Sequence, residues 1–183
     1  LFMADYKGDS GKLDSLRDLL SQIAEGNHRV LIFSQFRGML DRIEEELPQL
    51  GLTSFKITGS TPSQDRQEMT KAFNQGERDV FLISLKAGGV GLNLTGADTV
   101  ILVDLWWNPA VESQAIGRAH RMGQEQAVEV YRLVTRGTIE EKIQELQEQK
   151  RNLVSEVLDG TESRGSLTLS EIQEILGISE AKT

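Results

Sequence analysis

The segment Arg29-Val-Leu-Ile-Phe-Ser34 decides the fold, because its four central residues are all apolar and the run is short. Such a run is typical of a strand that is buried on both faces of a parallel sheet. Similar runs recur at Asp79-Val-Phe-Leu-Ile-Ser84 and Thr99-Val-Ile-Leu-Val-Asp104, and weaker strand patterns occupy residues 53–58 and 127–134. The sequence therefore predicts about five strands between residues 29 and 134.

Helical periodicity fills the intervals between these strands, over residues 11–25, 37–47, 63–75 and about 110–121. We expect Ser10 and Ser63 to be N-caps and Gly76 to end the third helix. Strands that alternate with helices indicate an α/β fold, with a parallel sheet flanked by helices.

The alternation of strands and helices stops near residue 136. A long apolar stripe at helical spacing follows Thr138, and after it come a polar, glycine-containing linker and a short helical pattern over residues 167–176. We therefore predict three units: an α/β domain over 1–136, a long helix over 137–158, and a linker with a short C-terminal helix over 159–183.

Composition limits the kinds of site that the chain can carry. The 183 residues include no cysteine and two histidines, which excludes disulfides and thiolate metal sites and predicts no metal centre. No apolar run approaches the ~20 residues that span a bilayer, so we expect an intracellular protein. The net charge of −8 argues against bulk electrostatic binding of nucleic acid but permits a local basic track. We expect the acidic runs 44–46 and 140–148 to be solvated.

The segment from Gln114 to Gln124, Gln-Ala-Ile-Gly-Arg-Ala-His-Arg-Met-Gly-Gln, carries two arginines three residues apart. If the segment is helical, then Gln114, Arg118 and Arg121 share one face. A pair of guanidinium groups on one face suits a multiply charged phosphate. The alternative is a solvated basic helix, which is the usual place for arginine.

A glycine-rich segment, Ser84-Leu-Lys-Ala-Gly-Gly-Val-Gly-Leu-Asn93, follows a predicted strand, where ligands of such sheets collect. A dinucleotide site with Asp104 on the ribose is disfavoured, because its fingerprint requires glycine where Leu94 stands. A Walker A loop is also absent, since Gly11-Lys12 is followed by Leu13 instead of Ser or Thr. The chain therefore carries candidate arginines for a nucleotide without a phosphate-binding loop, as arginine fingers supplied from a separate unit do.

Polar groups also follow the predicted strands, at Ser34-Gln35-Phe36, Gly59-Ser60-Thr61 and residues 86–89. The ends of parallel strands lie at one edge of a sheet, so we expect these groups to line that edge. Hydroxyls, an amide, glycine N–H groups and a lysine suit a sugar–phosphate backbone, although each piece alone also fits ordinary turn chemistry. Trp106 and Trp107 precede Asn108-Pro109, and we expect one of them to face a partner or DNA.

Together these motifs resemble the C-terminal RecA-like lobe of Swi/Snf-family ATPases, the helicase-like DNA translocases of superfamily two. The resemblance covers about residues 10–158 and depends on long motifs in the correct order. They are Ser10-Gly-Lys-Leu, Arg29 to Phe36, Thr58-Gly-Ser-Thr-Pro62 with Arg66, Ser84 to Leu94, Asp104-Leu-Trp-Trp-Asn-Pro109, Gln114 to Gln124 and Thr138-Ile-Glu-Glu-Lys142.

The resemblance implies roles for individual positions. Arg118 and Arg121 match the arginines that reach across a cleft to ATP on the first lobe, and Gln114 begins the same motif. Gly91 and Asn93 match the nucleotide side of the cleft. The positions that match the neighbourhood of the tracked DNA strand are Gln35, Phe36, Gly59, Ser60, Lys86, Ala87, Gly88, Gly89 and Trp107. The helix after Thr138 resembles a brace that packs back toward the first lobe.

We therefore expect the second motor lobe of an ATP-dependent double-stranded-DNA translocase or remodeller. Its ATP and Mg²⁺ would be bound mainly by the missing N-terminal lobe of the same polypeptide, and this chain alone would be inactive. The paired tryptophans and the tail favour the cytoplasm or nucleoid of a prokaryote over a eukaryotic nucleus. The alternatives are a DNA- or protein-binding module without catalysis, and a small-molecule α/β enzyme.

Overall fold

A computed structural model describes residues 11–85, 92–106, 109–119 and 128–158 of the chain. The helices are α1 (Gly11–Glu25), α2 (Arg37–Glu46), α3 (Ser63–Asn74), α4 (Pro109–Ile116) and α5 (Ile139–Leu158), with a 3₁₀ turn at Leu47–Leu50 after α2. The strands are β1 (Val30–Ser34), β2 (Ser54–Ile57), β3 (Val80–Ser84), β4 (Thr99–Leu102) and β5 (Glu129–Arg132).

The five strands of the described residues form one parallel sheet in the order β2-β3-β1-β4-β5. Strand β1 lies at the centre, where Val30 pairs with Val80 on one side and with Thr99 on the other. All of its residues are buried, as are those of β3 and β4. The predicted parallel α/β sheet is confirmed.

Side chains of β1 alternate between the two faces of the sheet and so contribute to two cores. Val30 and Ile32 pack with apolar residues of α1 and α2, among them Leu16 and Leu40. Leu31 and Phe33 pack on the other face with residues of α3, the 92–97 segment and the α4 region, namely Phe73, Leu92, Leu94, Ala97, Ala115 and Ala119. Helices therefore cover both faces of the sheet within the described residues.

Two predicted helix ends differ from the observed ones. Helix α3 begins at Ser63 with Pro62 as its N-cap and no side-chain cap bond, so Ser63 is not the cap. The predicted stop at Gly76 is confirmed, because this residue has φ +99° directly after the helix. Helix α4 ends at Ile116 instead of near residue 121. The Gly117 amide still donates to the Ser113 carbonyl oxygen, four residues back, but the Arg118 amide donates to the Ala115 carbonyl oxygen, only three residues back.

Helix α5 fulfils the expectation of a long helix after Thr138, but its acidic segment is not simply solvated. Ile143 and Gln147 are buried, and Glu140 pairs with Lys12 of α1 at 2.5 Å. None of the described helices has the length and apolar character that crossing a membrane requires. Residues 159–183 and the cap at Ser10 lie outside the described residues, and the three-unit division remains a prediction.

Candidate functional site

The turns that follow β1 and β2 lie at the same edge of the sheet, as the sequence predicted. Gln35 and Phe36 follow β1, and Gly59 and Ser60 follow β2. Strand β3 lies between β1 and β2, so the two turns are about 10 Å apart at the usual strand spacing. This edge therefore presents the backbone and polar groups of both turns side by side, although their binding of DNA stays a prediction.

Asp104 shapes the turn at Gln35 and Phe36. Its carboxylate oxygen Oδ2 accepts hydrogen bonds from the Gln35 amide at 2.6 Å and from the Ser34 hydroxyl at 2.8 Å. Burial raises the pKa of Asp104, although these two hydrogen bonds and the charge of Lys12 act in the opposite direction. The residue is 4% exposed, so it has a structural place beneath the turn and does not present a carboxylate to a ribose.

Arg66 of α3 shapes the second turn in a similar way. Its guanidinium donates to the carbonyl oxygens of Thr61 at 2.8 Å and Gly59 at 3.1 Å. The hydroxyls of Thr58 and Ser60 lie 2.9 Å apart, within hydrogen-bond distance. A charged side chain that binds several carbonyls fixes the turn and leaves the Ser60 side of it at the surface.

Phe36 is the most exposed large apolar side chain of the described residues, at 57%. It borders an open cavity of about 640 Å³ between the start of α1 and the end of β5. Lys12, Arg132 and Arg136 line this cavity with basic groups, and Asp104 and Glu140 line it with carboxyl groups. An exposed aromatic ring beside cations is compatible with a nucleic-acid edge, where rings and cations contact sugars and phosphates.

The described part of the arginine segment, residues 114–119, lies on the α3–α4 face of the sheet. The Leu94 amide donates to the carbonyl oxygen of Arg118 at 3.0 Å, which joins the end of the glycine-rich segment to the arginine segment. Ala115 and Ala119, which flank Arg118 in the sequence, are buried. Arg118 is half-buried, and this burial lowers the pKa of its guanidinium. Gln114 is exposed on α4.

The predicted helix does not reach Arg118, and the predicted common face with Arg121 is not tested because Arg121 lies outside the described residues. Because α4 ends at Ile116, Arg118 lies in the turn beyond the helix instead of one full helical turn above Gln114. The structure nevertheless places Arg118 next to Leu94, and therefore close to the predicted nucleotide-side residue Asn93. The other arginine of the pair, Arg121, lies outside the described residues, as do Gly91, Lys86, Ala87, Gly88, Gly89 and Trp107.

Asn74, at the end of α3, is a site residue that the sequence analysis missed. Its amide nitrogen donates to the carbonyl oxygen of Asn93 at 2.8 Å, and its amide oxygen accepts from the Gly96 amide at 3.0 Å. Arg29 donates to the carbonyl oxygen of Gly96 at 2.9 Å. The segment 92–96 is therefore fixed on both sides, which gives Asn93 a defined position.

Within the part of the chain that the structure describes, no group of three or more histidine or acidic side chains is arranged to hold a metal ion. The chemistry that the described residues offer is a half-buried guanidinium on one face and a polar, partly basic edge at the strand ends. Both suit phosphate groups, and one lies on a face of the sheet whereas the other lies at the ends of its strands.

Comparison with known families gives one match over most of the domain. Residues 11–123 match the family described as the helicase conserved C-terminal domain. This range includes every strand but β5 and both groups of predicted site residues.

Individual relatives agree with the family match. The chain is 46% identical over 164 residues to the chromatin-remodeling ATPase INO80 of Aspergillus oryzae, which covers 89% of this chain and 11% of the relative. It is 45% identical to the INO80 ATPase of Neurospora crassa over 162 residues, which covers 88% of this chain and 8% of the relative. The chain thus spans about a tenth of these relatives. Both are fungal, and they give no support to the prokaryotic source that we favoured.

A solved structure has the same fold. The crystal structure of the C-terminal part of the Fun30 ATPase domain superposes with a TM-score of 0.72 at 40% sequence identity, covering 79% of this chain and 48% of that chain. The likeness therefore extends to the three-dimensional arrangement of the parallel sheet and its flanking helices.

Proposed function

We propose that this chain is the second motor lobe of an ATP-dependent double-stranded-DNA translocase. The premise is that the chain belongs to the helicase conserved C-terminal domain family and is a Swi/Snf-family C-terminal lobe. Its INO80 relatives are named as chromatin-remodeling ATPases. The substrate of the whole protein would accordingly be a nucleoprotein complex, and its place in the cell the nucleus.

One observation carries this proposal: the hydrogen bond from the Leu94 amide to the Arg118 carbonyl oxygen, 3.0 Å long. It fixes the arginine segment against the segment that contains Asn93. Arg118, with Arg121, would then stabilise charge on the γ-phosphate of ATP when the cleft between the lobes closes. An arginine in this role contributes about 10³–10⁵ in rate. Gln114 would help to organise the same segment.

The edge of the sheet supplies the second half of the proposal. Gln35, Phe36, Gly59 and Ser60 would contact the sugar–phosphate backbone, together with residues 86–89 and Trp107. Such contacts position a protein on DNA without selecting a sequence. Closure of the cleft would move this edge relative to the other lobe, and this movement would be the mechanical output.

The first lobe of the same polypeptide would bind most of the ATP and its Mg²⁺. The sequence supports this assignment, since Gly11-Lys12 is not part of a Walker A loop. The 183-residue chain by itself would therefore show almost no ATP hydrolysis. Robust turnover by this chain alone would overturn the assignment of the ATP site to another lobe.

The direct test is Arg118→Ala in the full protein that contains both lobes. We expect DNA-stimulated ATP hydrolysis to fall by about 10³-fold or more, because the lost guanidinium acts on transition-state charge. DNA affinity should change less than about twofold, since Arg118 lies on a face of the sheet and not at the strand ends. Arg42→Ala, on α2 across the sheet, is the matched control. Normal turnover in Arg118→Ala would favour a binding module without catalysis.

A further inference from the structure

Helices α4 and α5 are joined by two polar side chains that are almost completely buried. Glu112 of α4 is 3% exposed and Gln147 of α5 is 1% exposed. The Gln147 amide nitrogen donates to Glu112 Oε1 at 2.8 Å and also to the carbonyl oxygen of Trp106. Glutamine is mostly a surface residue, so its burial here needs these partners.

The Glu112 carboxylate has two further donors. The Trp106 amide donates to Oε1 at 3.0 Å, and Arg132 Nε of β5 donates to Oε2 at 3.2 Å. One buried carboxylate therefore connects the segment after β4, helix α4, strand β5 and helix α5. Water does not easily replace these bonds at a buried site, so the network adds a specific restraint on the relative positions of the four elements.

Helix α4 leads directly to the arginine segment. Arg118 follows Glu112 by six residues, and the intervening Ala115 is packed in the core of the sheet. Beyond the helix, the Arg118 carbonyl oxygen accepts the hydrogen bond from Leu94. A displacement of Glu112 at the start of α4 would therefore displace Arg118 at the other end. Helix α5 contacts Glu112 through Gln147, and so affects the position of Arg118.

We propose that Glu112 and Gln147 are positioning residues, through which helix α5 sets the place of the arginine segment for ATP hydrolysis. This inference depends on the proposed role of Arg118. It predicts that α5 governs catalytic turnover without touching nucleotide, and that a change at Gln147 alters turnover more than DNA binding.

The test compares Gln147→Met with Gln149→Met in the full two-lobed protein. Methionine keeps the length of the side chain but removes the donor, and exposed Gln149 on the same helix is the matched control. We expect kcat to fall about 10- to 100-fold for Gln147→Met, because a small misplacement of a catalytic group reduces the rate by about this factor. DNA affinity should stay within about twofold, and assays run well below the thermal midpoint of each variant remove the effect of unfolding.

A double-mutant cycle separates positioning from general destabilisation. If Gln147 acts through the arginine segment, then Gln147→Met should add little to the loss already caused by Arg118→Lys. Fully additive losses would overturn the inference, as would normal kcat in Gln147→Met. If Gln147→Met does not fold, Glu112→Gln takes its place in the same cycle, because it keeps an acceptor for Trp106 and Gln147 but faces Arg132 with a donor.

The same experiments distinguish the two proposals. A large loss in Arg118→Ala with normal turnover in Gln147→Met rejects the positioning pair and leaves the motor-lobe proposal in place. Normal turnover in Arg118→Ala rejects the motor-lobe proposal itself, and with it the basis for the positioning pair.

Discussion

Replacement of Asp104 by alanine would test how the turn at Gln35 and Phe36 is built. Asp104 Oδ2 accepts from the Gln35 amide at 2.6 Å and from the Ser34 hydroxyl at 2.8 Å. In Asp104→Ala the Ser34 hydroxyl keeps an acceptor, the Phe36 carbonyl oxygen at 3.3 Å, whereas the Gln35 amide loses its bond. One unsatisfied buried donor costs about 1–3 kcal/mol. For a chain of this length that lowers the thermal midpoint by about 2–12 °C.

Asp104→Asn is the matched control, because both donors bind the same carboxylate oxygen. An amide oxygen in that position accepts both bonds, so we expect this variant to lose less than about 1 kcal/mol. Urea unfolding with an unchanged m-value measures the difference. An alanine variant as stable as the native chain, or an asparagine variant as unstable as the alanine one, would refute the reasoning. In the two-lobed protein, only alanine should weaken DNA binding.

The pH dependence of the same residue has a definite sign. Burial raises the pKa of Asp104 in the folded state, against the opposing hydrogen bonds. A raised folded pKa means that the folded chain binds the proton more tightly than the unfolded chain. Relative to Asp104→Asn, the native chain should therefore gain stability as pH falls through the folded pKa, and lose it again as pH rises.

Two other predictions concern stability. Gly96→Ala should cost about 1–3 kcal/mol in urea unfolding, because a Cβ there would lie 2.7 Å from Arg29 Nη1 and 3.0 Å from the Asn74 Cα; a neutral effect would contradict the close packing. Burial would raise the pKa of Glu140, but hydrogen bonds from Lys12 and Thr135 outweigh it and lower the pKa. The resulting stability is present above the unfolded pKa and is lost as pH falls through the folded one. Lys12→Met should make the free energy of unfolding depend less on pH in the acid range. An unchanged pH dependence would show that the Lys12–Glu140 pair contributes nothing to it.

The strands of the sheet could be predicted because each strand is indicated by a short stretch of its own sequence. The apolar run at residues 30–33 can be recognised without knowing which segments pack against it. Gly76 ends a helix because of its own backbone preference. The order of the strands depends on which distant segments pair, and no local pattern encodes it. Family motifs indicated the candidate site residues, whose roles stay predictions. The structure places Arg118 next to Leu94 and the β1 and β2 turns at one edge of the sheet.

The missed residues share one physical property: each polar side chain is paired with a partner far along the chain. Asn74 binds residues 93 and 96, and Gln147 binds residues 106 and 112. Taken alone, a glutamine in an acidic helix indicates a solvated face. One available signal was its spacing, because Gln147 follows the buried Ile143 by four residues and so lies on the apolar stripe.

The central position of β1 has a consequence for synthesis of the chain on the ribosome. Val30 pairs with Val80 and with Thr99, which follow it by 50 and 69 residues. At ~5–20 residues per second, the more distant partner is made about 3–14 s after Val30. Until both partners are made, this apolar strand lacks at least one of its two neighbours and is a template for association between nascent chains. The strand at the centre of the sheet therefore needs protection by chaperones while the domain is being made.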